Sequence, residues 1–245
     1  VMSFPKSGRT WIRTLMARVI QQTYNLSSLP ILSADEWNSQ LWPKILFSHG
    51  NSPGDDGISV NLPDEFFKTN KPFILLIRDP RDVLVSNYFH LTRRTRIFQP
   101  SLSLDEFAKD KIHGLKAILS FMSFWKKNIS YMSNAVICDY QDIHRDPREI
   151  LRQLFSKVQI EVQDSTLTDA IDFASFKNMQ IREASGENNH VATSTKTPTD
   201  PESFKTRKGK MGGYRDYMSV ELIDQISGVI EHWPDPLFNH FSDLN

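Results

Sequence analysis

Short apolar runs that each end in a polar cluster, alternating with amphipathic segments, restrict the fold of this chain more than any other feature. The runs are residues 1–4, Lys44-Ile45-Leu46-Phe47, Phe73-Ile74-Leu75-Leu76-Ile77 and Ala135-Val136-Ile137-Cys138. Continuous apolar runs suit strands covered on both faces, and their alternation with helices is the pattern of a parallel sheet in an α/β protein. Helices are predicted over 82–92, 115–128 and 147–157. In the second, Leu115, Ile118, Leu119, Met122 and Trp125 recur on one side, a stripe that reads as core. Segment 183–206 is rich in Asn, Ser, Thr, Lys and Pro and lacks an apolar period, so it reads as a long mobile loop suited to act as a lid. No repeat or linker divides the 245 residues, and one domain over 1–245 is expected.

Charge balance narrows the partners. Lys plus Arg number 29 and Asp plus Glu also 29, so no global basic field advertises nucleic acid, and small anionic ligands fit better. The single cysteine, Cys138, sits inside an apolar run and reads as a buried structural thiol. No Cys/His cluster suggests a metal site. No apolar run approaches membrane-spanning length, residue 1 already lies on the predicted first strand, and a cytoplasmic location without a signal peptide is the expectation.

Ligands of open α/β sheets bind beyond the carboxyl ends of the strands, so the residues that follow each run converge. The first run leads into Phe4-Pro5-Lys6-Ser7-Gly8-Arg9-Thr10-Trp11, the second into Ser48-His49-Gly50, the third into Arg78-Asp79-Pro80-Arg81-Asp82 and the fourth into Asp139-Tyr140. After Gly8, the positions Trp11, Ile12, Leu15, Met16, Val19 and Ile20 recur at helical spacing. A strand, a glycine turn and a helix N-terminus make an anion site, to which Lys6 adds a cation and Ser7 and Thr10 add hydroxyls. An ordinary strand–helix turn with a surface lysine has the same local pattern. His49 has the residue type of a base, with an ordinary pKa of about 6.5, although a histidine after a strand is by itself more often structural.

Residues 4–11 resemble the 5'-phosphosulfate loop of the cytosolic-type sulfotransferases, an aromatic residue followed by Pro-Lys-Ser-Gly-Thr-Thr-Trp, from which only Arg9 departs. Arg78-Asp79-Pro80-Arg81-Asp82-Val83-Leu84-Val85-Ser86 is similar to the 3'-phosphate motif of that family, and Arg207-Lys208-Gly209 followed by Gly212 to its C-terminal loop. The three span nearly the whole chain in the family's order. The resemblance implies a three-layer α/β/α fold of P-loop-NTPase type around a central parallel sheet. It also implies 3'-phosphoadenosine 5'-phosphosulfate (PAPS) as co-substrate, 3'-phosphoadenosine 5'-phosphate (PAP) as product, and no metal. Lys6, Ser7, Gly8, Arg9 and Thr10 would hold the 5'-phosphosulfate, and Arg78, Ser86, Arg207, Lys208 and Gly209 the 3'-phosphate. Trp11 and Phe176, the latter in Ser175-Phe176-Lys177-Asn178-Met179, would wall the adenine, with Met179 in the same motif and Tyr140 bonding the base. Core packing remains the other reading of the two aromatics. His49 falls on the family's catalytic histidine, Lys6 would stabilise the bridging oxygen, and Ser86 would restrain Lys6 until an acceptor arrives.

Four departures qualify this expectation. The family's common Lys-Thr-His reads Phe47-Ser48-His49 here, so a second active-site lysine is missing from that place, and stabilisation of the sulfuryl group would rest on Lys6 and Arg9. Phe47 reads either as a wall of an apolar acceptor pocket or as a buried strand residue. Ala174 replaces a threonine beside the adenine, and Gly213-Tyr214 replaces Asp-Trp. Residues 215–224 keep a conservative form of a dimerisation motif, which a helix start at Ser219 explains equally well. The expected acceptor is a hydroxyl or amine of a small molecule. Phe89, His90, Ile97, Phe98, Phe121, Phe124 and Trp125 are candidate acceptor contacts that core packing explains as well. Other readings are a P-loop kinase or NTPase, which lacks its Gly-x4-Gly-Lys-Ser/Thr here, a Golgi-type carbohydrate sulfotransferase, and a non-catalytic PAP-binding regulator.

Overall fold

Strand β2 (Phe73–Ile77) is buried along its whole length, as its unbroken apolar sequence requires, and it organises the sheet. It pairs in parallel with β1 (Met2–Ser3) on one side and β3 (Ala135–Asp139) on the other, with Met2 opposite Leu75 and Phe73 opposite Ala135. The computed structural model describes residues 1–30, 32, 42, 44–49, 64–185 and 200–238. Beyond β1, the expected strand 44–47 is not a strand. Leu46 is half exposed, and only Ser48 bridges β1, donating to Val1 O at 2.9 Å and accepting from Ser3 N at 3.2 Å. A two-residue β1 offers too short a ladder to order a longer partner.

Alternate residues of β2 serve two cores, as a strand's two-residue period dictates. Phe73, Leu75 and Ile77 pack with α3 (Pro80–Phe89), α5 (Leu115–Asn128) and α10 (Val220–Glu231). Ile74 and Leu76 pack with α1 (Arg9–Thr23), α7 (Pro147–Lys157), α8 (Asp164–Phe173) and α9 (Phe176–Ser185). Helix layers on both faces make the three-layer α/β/α arrangement around a parallel sheet. The remaining helices are α2 (Asp64–Phe67), α4 (Leu104–Ala108) and α6 (Tyr140–Arg145).

Two predicted helices, 115–128 and 147–157, match α5 and α7 at both ends. The third starts earlier than expected, at Pro80, because Asp79 caps it by accepting from Arg81 N at 2.8 Å and Pro80 occupies the first turn. It passes at its other end into a π-helical turn, His90–Arg94. The predicted loop 183–206 is corrected at both margins: Glu183 closes into α9 and is buried, and Pro201–Ser203 form a 3-10 turn. The part of that loop over 186–199 lies outside the described residues. Cys138 is buried, and desolvation raises its thiol pKa to about 12, consistent with a packing role.

Candidate active site

Parallel strands bring their carboxyl ends to one edge, and there the polar clusters enclose a cleft of about 440 Å³. On its N-terminal side, Lys6 and Gly8 adopt left-handed backbone conformations (φ 72° and 99°) as the chain turns from β1 into α1. Gly8 is required twice over: a Cβ there would lie 2.5 Å from the Tyr140 ring, and its φ disfavours any other residue. Helix α1 has no acidic residue in its first turn and no side-chain cap, so its orphan N–H groups, at Gly8, Arg9 and Thr10 on the cleft, remain for an anion. Ser7 differs from the expectation: it is 1 % exposed, its Oγ lacks a hydrogen-bond partner, and it does not line the cleft.

The Arg-Asp-Pro-Arg-Asp cluster divides its labour. Asp79 and Arg81 form a buried ion pair at 2.8 Å, while Asp82 accepts from Gly212 N and Tyr214 N at 3.0 Å each, tying the C-terminal segment to α3. Arg78 and, one helical stretch later, Ser86 line the cleft. Arg78 lies 4.2 Å above the Tyr140 ring and donates to Lys6 O and Lys210 O at 3.3 Å each. Its Nε is buried without a partner, a cationic donor that suits an incoming anion.

The C-terminal side is built on Glu183, 3 % exposed at the end of α9. It pairs with Arg94 at 2.9 Å and accepts from Lys205 N and Thr206 N at 2.6 and 2.8 Å. Arg207 follows, held by Glu202 at 3.0 Å and stacked between Phe89 and Tyr217 at 4.5 and 4.7 Å. Gly209 takes φ 60°, and a Cβ on it would meet the Phe176 ring at 2.1 Å. Lys208 also lines the cleft.

Trp11 is half-buried: it packs against the second core and also walls the cleft. Its indole donates to Ala174 O at 2.9 Å, and it packs against Tyr140 and His144. The carbonyl of residue 174 thus orients Trp11 whatever its side chain. Phe176 and Met179 complete this side. Of the candidate acceptor contacts, His90 alone lines the cleft; Phe89, Phe121 and Trp125 are buried in the core and Ile97 is 65 % exposed. Phe47 also stays out of the cleft, packed at the second core beneath Arg13. Tyr214, in place of the family's tryptophan, is fully buried between Arg81 and Arg215.

Crowded cations set the electrostatics. Burial, reinforced by the Lys205 charge, lowers the Lys6 pKa to about 7. Lys205 is lowered to about 8 by burial and Arg94, and Arg9 to about 10 by burial and Arg13. His49 falls to about 4 through burial and the Arg9 charge, and is neutral at physiological pH. Its Nδ1 lies 3.0 Å from Ser3 O; a carbonyl only accepts, so Nδ1 carries the proton and Nε2 keeps a lone pair. His90 is lowered to about 3 by burial and Lys6. Sequence reasoning missed Lys205, Thr206 and His144 on the cleft. Lys205 had a signal, since it stands two residues before the Arg-Lys-Gly motif; His144 had only its position one turn after Tyr140.

A cleft at the carboxyl edge of a parallel α/β sheet, lined by Lys6, Arg9, Arg78, Arg207, Lys208 and an imidazole, is cationic and suits an anionic ligand. Residues 1–239 match the family model described as the sulfotransferase domain, and the chain belongs to that family, as a sulfotransferase of the PAPS-dependent class. It is similar to cytosolic sulfotransferase 17 of Arabidopsis thaliana, 22 % identical over 94 % of this chain and 72 % of that protein. It is also similar to the 3-beta-hydroxysteroid sulfotransferase of Cavia porcellus, 23 % identical over 97 % of this chain and 85 % of the relative. Among solved structures, a mouse sulfotransferase complexed with PAP superposes with a TM-score of 0.60 at 17 % identity, covering 92 % of this chain and 80 % of the other. No described helix is long and apolar enough to cross a membrane.

Proposed function

We propose that this protein moves the sulfuryl group of PAPS to a hydroxyl or amine of a small molecule, with His49 as general base and Lys6 as electrostatic catalyst. One observation carries the reading: Lys6, Arg78, Arg207 and His49 open into the same cleft. The buried, unpartnered Nε of Arg78 and the depressed Lys6 pKa mark a site whose charges are relieved by a bound polyanion. Lys6, Arg9, Thr10 and the α1 N-terminus hold the 5'-phosphosulfate, and Ser7, buried beneath the loop, does not reach it. Arg78, Ser86, Arg207, Lys208 and the Gly209 backbone hold the 3'-phosphate. Trp11, Tyr140, Phe176 and Met179 enclose the adenine.

PAPS supplies an activated sulfuryl group when bound. His49 Nε2 takes the acceptor's proton, and the Ser3 carbonyl keeps that ring in the correct tautomer. Lys6 meets charge developing on the bridging oxygen, and placement of both reactants supplies the rest of the acceleration. Ser86, on the same cleft, restrains Lys6 before the acceptor binds. No metal has a role in this scheme. The cytosolic relatives support a cytoplasmic location, and Val220, 70 % exposed at the start of α10, supports a homodimer contact through 215–224.

Titration calorimetry with PAP, 5'-AMP and ATP tests the reading. The wild type prefers PAP, and Arg78→Ala removes that preference with a loss of roughly 10–100-fold, the worth of one charge-assisted grip. Equal binding of ATP, unchanged in the variant, overturns it. His49→Ala lowers transfer roughly 10²–10⁴-fold while PAP affinity stays; a PAP-binding regulator shows no transfer in either protein.

A further inference from the structure

Lys205 stands on the cleft but belongs to neither phosphate grip. Its side chain lines the cavity with Lys6, Arg9, His49 and His90. Its position is held from the backbone: Lys205 N and Thr206 N donate to the two oxygens of buried Glu183, and Gln180 Nε2 donates to Thr206 O at 3.0 Å. Lys205 lines the same cleft as Lys6, His49 and His90, and of the charges acting on Lys6 that of Lys205 is the largest. Two desolvated lysines that repel each other across a cleft are stabilised by an anion between them.

We propose that Lys205 is a catalytic residue that stabilises the transferring sulfuryl group from the C-terminal wall while Lys6 acts from the N-terminal loop. The inference rests on the sulfuryl-transfer reading. In that step the acceptor oxygen–sulfur bond forms as the bond from sulfur to the bridging oxygen of PAPS breaks. The bridging oxygen keeps the electron pair and departs on PAP, and the acceptor's proton passes to His49 Nε2. Lys6 meets the bridging oxygen, and Lys205 meets the sulfuryl oxygens. Because Arg207 and Lys208 lie within three residues of Lys205, one segment then links recognition of the 3'-phosphate to the rate of transfer.

The test compares wild type, Lys205→Met and Lys205→Arg in transfer from PAPS to an acceptor drawn from a panel of phenols, steroids and amines, with PAP affinity and thermal midpoint measured alongside. Loss of an electrostatic donor predicts a fall in kcat of roughly 100-fold in Lys205→Met, with acceptor KM little changed, PAP affinity falling far less than kcat, and Lys205→Arg recovering to within about 10-fold. The alkaline limb of kcat/KM also moves upward in Lys205→Met, because the Lys6 charge loses its strongest repulsion. Unchanged kcat overturns the proposal, as does a loss that Lys205→Arg does not recover and that follows a fall in thermal midpoint. If PAP binds but the wild type transfers nothing to any acceptor, the sulfotransferase reading itself falls, and the inference with it.

Discussion

The two walls of the cleft are built by opposite means. The N-terminal wall is continuous chain: β1, a turn with Lys6 and Gly8 in left-handed conformations, and the start of α1. The groups it offers to an anion are mainly backbone N–H groups, whose directions follow from local geometry. The C-terminal wall and the segment that follows it, 203–214, have no strand or long helix of their own and are held by carboxylates that do not line the cleft, Glu183 beneath Lys205 and Thr206, and Asp82 beneath Gly212 and Tyr214. A local wall is stable wherever its elements fold, whereas a strapped wall depends on buried acids being present and ionised. The C-terminal wall is therefore the more fragile of the two.

The largest expected effect comes from removing a strap. Glu183→Ala leaves Arg94 buried without its carboxylate and two N–H groups without acceptors, and should cost about 3–5 kcal/mol in denaturant unfolding, together with PAP affinity. A variant of near wild-type stability would mean that the C-terminal wall is as self-supporting as the N-terminal one.

Glycine substitutions sharpen the contrast at smaller cost. Gly8→Ala drives a methyl toward Tyr140, which is buried beneath Arg78; Gly209→Ala drives one toward Phe176, which is 37 % exposed and has room to turn. Both carry the strain of a positive φ, about 1–3 kcal/mol each. PAP titration and thermal unfolding should both rank Gly8→Ala as the more damaging, and the reverse order would show that the C-terminal wall is the more rigid.

The smallest effect is a pH dependence shared between the walls. Lys6 and Lys205 are lowered to about 7 and about 8 from an ordinary 10.5, so both lose charge between neutrality and pH 9. A polyanion favours the charged lysines, so PAP binding takes up protons at pH 8 and weakens as pH rises through this window. Stability without nucleotide has the opposite sign. The unfolded chain binds more protons than the folded one between the two sets of values, so unfolding free energy rises with pH from about 7 toward 10.5. Calorimetry at pH 8 in buffers of different ionisation enthalpy should show uptake, reduced by more than half in Lys6→Met. His49, near 4, contributes nothing to this window.

Much of this architecture was legible in advance. The helices predicted over 115–128 and 147–157 match α5 and α7 to the residue, the first on its apolar period, and the clusters after each run marked the edge where the cleft lies. Legibility failed where a residue's neighbours come from elsewhere. Residues 44–47 have strand composition, yet β1 is too short to pair with them and only Ser48 bridges. Glu183 sits in a polar sequence that predicts a loop, and is buried because Arg94 and two backbone donors converge on it. Of the two readings of Phe47, the cleft wall fails, because the cleft passes it by, and packing against the core holds although 44–47 form no strand.

The order of the chain alone determined the alternating α/β plan and the strand–turn–helix at Lys6, because hydrophobic period, glycine conformation and helix-terminal charge act within a few residues, and it carried the three motifs that resemble the family's. Tertiary structure alone decided which acids became straps, which aromatics became walls, how far each pKa moved and that Lys205 and Lys6 line one cleft. Burial and Coulomb interactions depend on distances in space, and no local pattern carries the separation between residue 6 and residue 205.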